Sequence, residues 1–153
     1  MLTLRRLTPR DDMAPVHDLL TKAFGYMDGV IDPPSSLHRM TADDLSRTAD
    51  QAELWVLEPG PVACMVLTPH GDTLYLGKLA VVAGRRGQGL SRRLVEHAAD
   101  RARALGLPSL TLQTRVELTA NQAAFARMGF TEVARTAHQG YRQPTSITYC
   151  RPV

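Results

Sequence analysis

The stretch from Leu79 to Leu105 constrains the fold of this chain most, because three structural signals follow one another in it. It begins as a run of apolar, partly β-branched residues that breaks at Gly84, and a short segment of arginine, glycine and glutamine follows. From there apolar residues recur at the spacing of one helix face: Leu90, Leu94, Ala98, Ala102 and Leu105. The stretch therefore predicts a strand, a glycine loop and a helix.

The predicted start of that helix is suited to an anion. A helix N-terminus exposes four backbone N–H groups and carries the positive end of the helix dipole. Gly87 and Gly89 would let a bulky ligand approach this backbone closely. Between residues 85 and 103, six arginines oppose only two acids, a local excess of +4 in a chain whose net charge is +3. The positive charge is therefore concentrated at this helix and its loop.

A glycine pair alone is weak evidence, because an ordinary tight turn before an arginine-rich, solvated helix face has the same residues. Two phosphate-loop patterns are excluded. The chain has no G-x-x-x-x-G-K-[ST], and the third glycine of G-x-G-x-x-G is missing after Gly89. A tight turn and an anion site both remain open at this point.

Length and composition indicate one ordinary globular domain spanning residues 1–153. The chain is 44% hydrophobic and 22% charged, which is typical of soluble proteins. Its pI of about 9.2 suggests anionic ligands. Aromatic residues make up only 5% and no basic-aromatic repeat occurs, so we do not expect a nucleic-acid partner.

The cysteines, histidines and N-terminus carry no special signal. Cys64 and Cys150 lie in apolar, strand-like segments without CxxC spacing, so buried free thiols are favoured over a bridge or a nucleophile. The five histidines lack ligand spacing, and we expect no metal. Early charged residues interrupt any signal-peptide core and no 18-residue apolar run occurs. We therefore expect a soluble, cytoplasmic protein without a membrane partner.

The N-terminal third predicts a strand and two helical segments. Residues 2–7 alternate as a short strand, and Thr8–Asp11 resembles a helix start with a hydroxyl cap and a proline at the first position. Gly25–Ser36, rich in glycine, proline and serine, is predicted to be a loop. A second helical segment, broken near Thr41, follows it. The apolar positions of the first helix are Met13, Val16, Leu19, Leu20, Ala23 and Phe24.

The rest of the chain predicts a mixed sheet. Three strands joined by short turns form an antiparallel meander, and the strand after the arginine-rich helix should lie parallel to the strand before it. Thr119–Gln122 suggests a capping box for a short helix that Gly129 ends. The predicted strands are Glu53–Leu57, Val62–Thr68, Thr73–Val82, Ser109–Arg115 and a final hairpin of Phe130–Thr136 with Ser146–Arg151.

The glycine loop resembles motif A of the GNAT superfamily of N-acetyltransferases, Q/R-x-x-G-x-G/A. Arg86 stands in the Q/R position, Gly89 in the invariant-glycine position, and Ser91 replaces the usual glycine or alanine. The resemblance implies that the loop amides bind the pyrophosphate of acetyl-CoA and that the preceding strand aligns with the pantetheine arm. The residues it assigns to acetyl-CoA are Leu79, Ala80, Val81, Arg86, Gly87, Gln88, Gly89, Leu90, Ser91, Arg92, Asn121 and Phe125.

A second segment, Asn121–Phe130, is similar to the superfamily motif N-x-x-A-x-x-x-Y-x-x-x-G-F. Two separated matches in the right order are more specific than one. The resemblance implies an α/β fold with a central, mostly antiparallel sheet, a splayed parallel pair and flanking helices. It also implies an acetyl-CoA-dependent N-acyltransferase that moves an acetyl group to a primary amine by direct attack, and dimers are common in the superfamily.

Besides Ser91, four positions depart from the superfamily pattern. Phe125 stands where many members have a tyrosine that protonates the departing thiolate, and phenylalanine cannot do so. The motif asparagine falls on Leu118 by strict spacing, one helical turn before Asn121. The strand positions that often carry a catalytic carboxylate hold Tyr75 and Gln113. The usual acid and base are therefore both missing.

An alkylammonium is mostly protonated at pH 7, so acetyl transfer to it requires a base. With the usual positions vacant, our candidates are His138 as proton acceptor and Tyr141 as proton donor, both on the last hairpin, with Glu117 as a third option. Simple surface-loop roles fit these residues as well. Tyr26, Met27 and Asp28, in the loop that borders the acceptor pocket of the superfamily, are candidate pocket residues.

Two other functions remain open beside the enzyme. The missing tyrosine and carboxylates would suit a non-catalytic acyl-CoA-binding or regulatory module. The arginine-rich helix would also suit a nucleic-acid-binding domain, although the aromatic content argues against it. The acceptor itself cannot be named from the sequence.

Overall fold

Seven strands form one sheet with four α-helices against it in a computed structural model that describes all 153 residues. The strands are β1 (Thr3–Arg6), β2 (Glu53–Glu58), β3 (Ala63–His70), β4 (Thr73–Val81), β5 (Ser109–Arg115), β6 (Thr131–Thr136) and β7 (Ser146–Pro152). The helices are α1 (Ala14–Phe24), α2 (Ala42–Gln51), α3 (Leu90–Ala104) and α4 (Thr119–Arg127). Short 3₁₀ turns lie at Gly25–Met27, Ser36–Arg39 and Ala83–Arg85.

The strand order is β1-β2-β3-β4-β5-β7-β6. Neighbouring strands are antiparallel except β4 and β5, which are parallel because α3 returns the chain to the starting end of the sheet. This architecture confirms the predicted mixed sheet, its meander and its single parallel pair.

The parallel pair is joined over only part of its length. Residues 73–75 of β4 pair with residues 109–111 of β5, and no pairing continues after Tyr75. Beyond that point the two strands diverge. The later half of β4 and the later half of β5 therefore enclose a gap in the sheet, as predicted.

A β-bulge lies in β4 beside this gap. The register between β3 and β4 moves from Val66 opposite Gly77 to Cys64 opposite Ala80, so β4 contains one extra residue. Lys78 sits in the bulge with a φ of +50°, in the left-handed region. Because one extra residue reverses the alternation of faces, Val81 packs in the same core cluster as Leu74 and Leu76.

Two cores cover the two faces of the sheet. A cluster of 19 buried residues packs α3 against one face, and 13 buried residues pack α1 and α2 against the other. In β3, Met65 and Leu67 belong to the first cluster while Cys64 and Val66 belong to the second, as the period of a strand requires. Both cysteines are unpaired, with Cys64 fully buried.

The first helix begins later than the sequence predicts. It starts at Ala14 with Pro15 in its first turn, whereas Thr8–Asp11 forms a separate turn. The Asp11 carboxylate accepts the Thr8 N–H at 2.7 Å, which stabilises the turn instead of a helix start. The Asp12 carboxylate then accepts the Ala14 N–H at 3.0 Å, at the true helix start.

The predicted capping box of α4 is also wrong, although the helix itself is where we predicted it. Leu118 is the N-cap residue and Thr119 is already helical, with no side-chain cap. The Gln122 amide instead donates to the carbonyl oxygens of Arg115 and Val116, at 3.3 and 3.0 Å. Gly129, with a φ of +92°, ends the helix as predicted.

The prediction of a second helical segment broken near Thr41 is confirmed. A 3₁₀ turn precedes Thr41, and Thr41 and Asp44 form a reciprocal capping box at the start of α2. None of the helices is long and apolar enough to cross a membrane.

Candidate functional site

The gap between β4 and β5 holds a cavity of about 290 Å³, which we call the gap cavity. Its walls come from both strands, from the end of α1 and the 3₁₀ turn that precedes α2, from α4 and from the last hairpin. Residues that represent these elements are Phe24, Leu37, Tyr75, Gln113, Leu118 and His138. Because the two strands do not pair here, the cavity opens through the middle of the sheet.

A second cavity, of about 220 Å³, lies at the end of β4 beside the glycine loop, and we call it the loop cavity. Leu79, Ala80 and Val81 form one wall, and Arg86 and Ser91 form another. Four residues line both cavities: Phe24, Leu79, Asn121 and Phe125. The two cavities therefore adjoin, and together they make one cleft that runs from the glycine loop into the sheet.

The glycine loop presents an unbroken row of free backbone donors. The six N–H groups from Gly87 to Arg92 make no hydrogen bond within the protein. Gly87 and Gly89 have φ values of +80° and +76°, which residues with a side chain rarely adopt. No acid lies in the first turn of α3 and no side chain caps it. This geometry is that of an anion site at a helix N-terminus.

The arginines divide into two groups along α3. Arg101 and Arg103, near the end of the helix, pair with Glu53 and Asp100 at 2.8 Å. The four arginines near the loop, Arg85, Arg86, Arg92 and Arg93, pair with no acid. All of them except Arg86 donate to a neighbouring amide or carbonyl oxygen. The uncompensated positive charge is therefore at the loop end of α3, as predicted.

Arg86 packs over the ring of Tyr26, with its guanidinium carbon 5.5 Å from the ring centroid. Tyr26 lines the loop cavity, on the side that we assigned to acetyl-CoA, whereas Met27 lines the gap cavity. Asp28 lines neither of them and contacts His38 at 2.6 Å. The three residues proposed as pocket candidates thus have three different environments.

Asn121 and Phe125 occupy the junction of the two cavities. The Asn121 side-chain amide makes no hydrogen bond within the protein. The Phe125 ring packs edge-on against Phe130, with centroids 6.0 Å apart, and at a tilt against Tyr149 at 6.4 Å. Phe125 is therefore held by the core while one part of the ring faces the cleft.

Tyr75 and Gln113, at the positions where a carboxylate was expected, both line the gap cavity. Burial raises the pKa of the Tyr75 hydroxyl, so this group stays neutral. Gly77 leaves room for the Tyr75 ring, because a Cβ at position 77 would lie 3.2 Å from its Cε1. The Gln113 amide donates to Thr148 Oγ1 at 3.2 Å.

His138 lines the gap cavity, and Thr145 orients it. The His138 N–H donates to Thr145 Oγ1 at 2.9 Å, and the ring Nδ1 contacts the same oxygen. The other ring nitrogen, Nε2, has no hydrogen-bond partner. The imidazole is therefore held on one side and has a free nitrogen on the other.

Tyr141 and Glu117 lie outside both cavities and hold the loop after α1. The Tyr141 hydroxyl donates to Asp32 Oδ1 at 2.5 Å, which raises the Tyr141 pKa. The Glu117 carboxylate accepts the Asp32 N–H at 3.1 Å. Arg115 adds a hydrogen bond to the Pro33 carbonyl oxygen at 2.8 Å. The structure brings His138 to the cleft and separates Tyr141 from it.

Our sequence reasoning missed Lys78, which lines the gap cavity next to the bulge. A signal for it exists in the sequence. Leu74 and Leu76 alternate toward one core, so continued alternation would bury the Lys78 side chain, and a bulge avoids this.

No group of three or more histidine, cysteine, aspartate or glutamate side chains is placed to hold a metal ion.

A model of the acetyltransferase (GNAT) family matches residues 13–130. N-alpha-acetyltransferase 30 of Saccharomyces cerevisiae is 34% identical over 80 residues, which cover 49% of this chain and 46% of the yeast protein. The corresponding protein of Schizosaccharomyces pombe is 32% identical over 78 residues, covering 50% and 52%. The matched region thus spans about half the length of these curated relatives.

Solved structures share the fold over the whole chain. The ribosomal-protein-S18-alanine N-acetyltransferase of Escherichia coli superimposes with a TM-score of 0.74 at 22% identity, covering 99% of this chain and 94% of that one. The PaiA N-acetyltransferase of Thermoplasma acidophilum, solved in complex with coenzyme A, gives 0.81 at 9% identity and covers 100% and 99%. At these identities the likeness describes the fold alone.

The family match confirms three of our predictions: the superfamily, the fold class and an acyltransferase-class enzyme. It covers the helices α1 to α4, the strands β2 to β5, the glycine loop and both motif segments. On the evidence of this match, the chain belongs to the acetyltransferase (GNAT) family.

Proposed function

We propose that this protein transfers an acetyl group from acetyl-CoA to a primary amine, with both substrates bound at once. The observation that carries the proposal is the single cleft made by the loop cavity and the gap cavity. One end presents six free N–H groups, and the other opens between the diverging strands. Such a cleft can hold a nucleotide-linked thioester and an amine in contact.

The residues of the loop cavity fit coenzyme A. The free N–H groups of residues 87–92 suit a pyrophosphate, and Arg86 and the Ser91 hydroxyl lie beside them. The β5-facing edge of Leu79–Val81 has no strand partner and suits the amides of a pantetheine arm. Asn121 and Phe125, at the junction, would border the thioester. Bound there, acetyl-CoA supplies an activated acyl carbon.

The chemistry that the protein must provide is removal of a proton from the amine. Among the side chains that line the gap cavity, His138 carries the imidazole, the group that most often serves as a general base. Thr145 fixes its ring and leaves Nε2 free. We assign His138 the role of proton acceptor. Backbone N–H groups near Val81 would stabilise the oxyanion, and no covalent enzyme intermediate is needed.

The proton donor is a separate question, because the Tyr141 hydroxyl is engaged with Asp32. That contact supports a role for Tyr141 in holding the loop after α1. The phenol that lines the gap cavity belongs to Tyr75, which has no hydrogen-bond partner and stays protonated through burial. We therefore place Tyr75 beside Tyr141 as a candidate donor, and comparing Tyr75→Phe with Tyr141→Phe distinguishes them.

The names of the relatives guide the choice of acceptors. The yeast relatives are N-alpha-acetyltransferases, and the Escherichia coli structure is that of an enzyme that acetylates the alanine of a ribosomal protein. These names support testing peptide α-amines beside small amines.

A non-catalytic acyl-CoA-binding module is the second candidate, favoured by Phe125 in place of tyrosine and by a gap cavity lined by no carboxylate.

The test is thiol release from acetyl-CoA with a panel of amines and peptides, combined with calorimetry of CoA binding. We expect turnover of at least one acceptor. His138→Gln should lower kcat about a hundredfold or more without weakening CoA binding. His70→Gln, at the exposed end of β3 and outside both cavities, is the matched control. Tight CoA binding without turnover of any amine would favour the module, and absence of CoA binding would overturn both functions.

Other expectations from the sequence stay predictions: one domain over residues 1–153, a cytoplasmic location, catalysis without a metal, and a possible homodimer.

A further inference from the structure

Lys78 stands out among the side chains of the gap cavity. It is half-buried, lies in the bulge of β4, and forms no salt bridge, whereas the only other lysine, Lys22, is exposed and pairs with Asp18 at 3.0 Å. A charge that is partly removed from water without a partner is unfavourable. Its position therefore suggests that an anion is missing from its surroundings.

The backbone at Lys78 supports the same conclusion. Its φ of +50° is unusual for a residue with a side chain, and Lys78 is the only non-glycine residue of the chain in that region. Gly77, which would adopt such a conformation without cost, lies next to it with an ordinary φ. Residues held in sparsely populated backbone conformations cluster at active sites and ligand-binding positions. The bulge thus holds a lysine where a glycine would be less strained.

No carboxylate lines the gap cavity to balance this charge. Three acids of the surrounding loops lie outside the cavity lining and contact other groups. Asp28 contacts His38, Asp32 accepts from Tyr141, and Glu117 accepts from the Asp32 N–H. The other full cation of the cavity, Arg115, donates to the carbonyl oxygens of Pro33 and Pro34. Lys78 is therefore the one lysine or arginine among the lining residues whose side chain has no hydrogen-bond or salt-bridge partner in the protein.

We propose that the acceptor amine carries an anionic group, a carboxylate or a phosphate, and that Lys78 binds this group. The inference rests on the proposed acetyltransferase function and names the substrate class of the same site. Leu79, the next residue, lines both cavities, so the anion would lie near the junction where the amine reacts. The cavity then disfavours polycations such as polyamines, which need carboxylates around them.

The test compares acceptors in pairs that differ only in the anion. The small-molecule arms are 4-aminobutyrate against its carboxamide and O-phosphoethanolamine against ethanolamine. The peptide arm uses amidated tetrapeptides with aspartate or asparagine as the second residue. These arms separate a free carboxylate, a phosphate and an acidic peptide side chain. In at least one pair, we expect wild-type kcat/KM to favour the anionic member about tenfold, which corresponds to about 1.4 kcal/mol.

The variants assign this preference to one side chain. Lys78→Met should reduce the ratio of the two kcat/KM values to about one, and Lys78→Arg should keep it. Lys78→Gly removes the charge and also relieves the left-handed strain, so it provides a folded protein if the methionine variant is unstable. Lys22→Met removes the same charge outside the cleft and should leave the ratio at the wild-type value.

Two kinds of result would overturn this inference. Equal use of anionic and neutral acceptors by the wild type, or an intact preference in both Lys78→Met and Lys78→Gly, rejects it while the acetyltransferase function stands. Absence of turnover with every acceptor, despite CoA binding, rejects the proposed function and this inference together.

Discussion

Replacing Gly89 by alanine tests the glycine loop most directly. Gly89 is the N-cap residue of α3 with a φ of +76°, and a Cβ built on it meets no atom within 4 Å. The cost of alanine is therefore conformational and not steric, about 1–2 kcal/mol for a left-handed residue. In a domain of this size we expect the melting temperature to fall by roughly 2–8 °C.

The same substitution should also weaken ligand binding. Alanine can escape the strain by rotating to a negative φ, and the rotation turns neighbouring N–H groups away from a common point. We expect the Kd for CoA, measured by calorimetry, to rise at least about tenfold, or about 1.4 kcal/mol. Gly84→Ala is the matched control, because Gly84 lies in the preceding 3₁₀ turn without a positive φ and with open space around it. If the Gly89→Ala and Gly84→Ala proteins bind CoA equally well, the loop amides do not hold the pyrophosphate.

Three further outcomes follow from the charges. Arg86→Glu should weaken CoA binding at least about tenfold, whereas Arg103→Glu, at the far end of α3, should not, and equal calorimetric affinities would contradict this. Arg101→Met should lower the free energy of unfolding in urea by about 3–5 kcal/mol, because it leaves Glu53, a residue only 6% exposed, without its cation. A loss below about 1 kcal/mol would refute this reasoning. Burial lowers the pKa of His97 below 6.5, so the unfolded chain binds a proton more readily than the folded one. The free energy of unfolding should therefore fall as the pH drops below 6.5, and its dependence on pH should be weaker in His97→Leu.

Local signals explain what the sequence predicted well. The turn between β3 and β4, the glycine loop and the stop of α4 at Gly129 each depend on residues within a few positions of one another. Alternation and helical spacing then place the apolar side chains on the correct faces. The parallel pairing of β4 and β5 follows because the helix between them must return the chain.

Other features depend on contacts that no local pattern contains. The Tyr141 hydroxyl meets Asp32, 109 positions away, so its separation from the cleft could not be read from the hairpin sequence. The start of α1 was misplaced because the Asp11 side chain stabilises a turn that competes with a helix cap. The bulge at Lys78 was missed because we treated residues 73–82 as one regular strand, although the isolated Gly77 and the alternation that would bury Lys78 both point to an extra residue.

The short pairing between β4 and β5 divides the sheet into two parts. Only three residue pairs, from Thr73 to Tyr75 of β4, join the first four strands to the last three. The sheet therefore consists of two groups of strands that are hydrogen-bonded to each other at one end only. Leu74 of β4 and Leu110 of β5 pack in the same buried cluster as the inner face of α3. We therefore expect the width of the gap cavity to depend on packing on the reverse side of the sheet. Buried substitutions there would retune substrate range while leaving every ligand-contacting side chain in place.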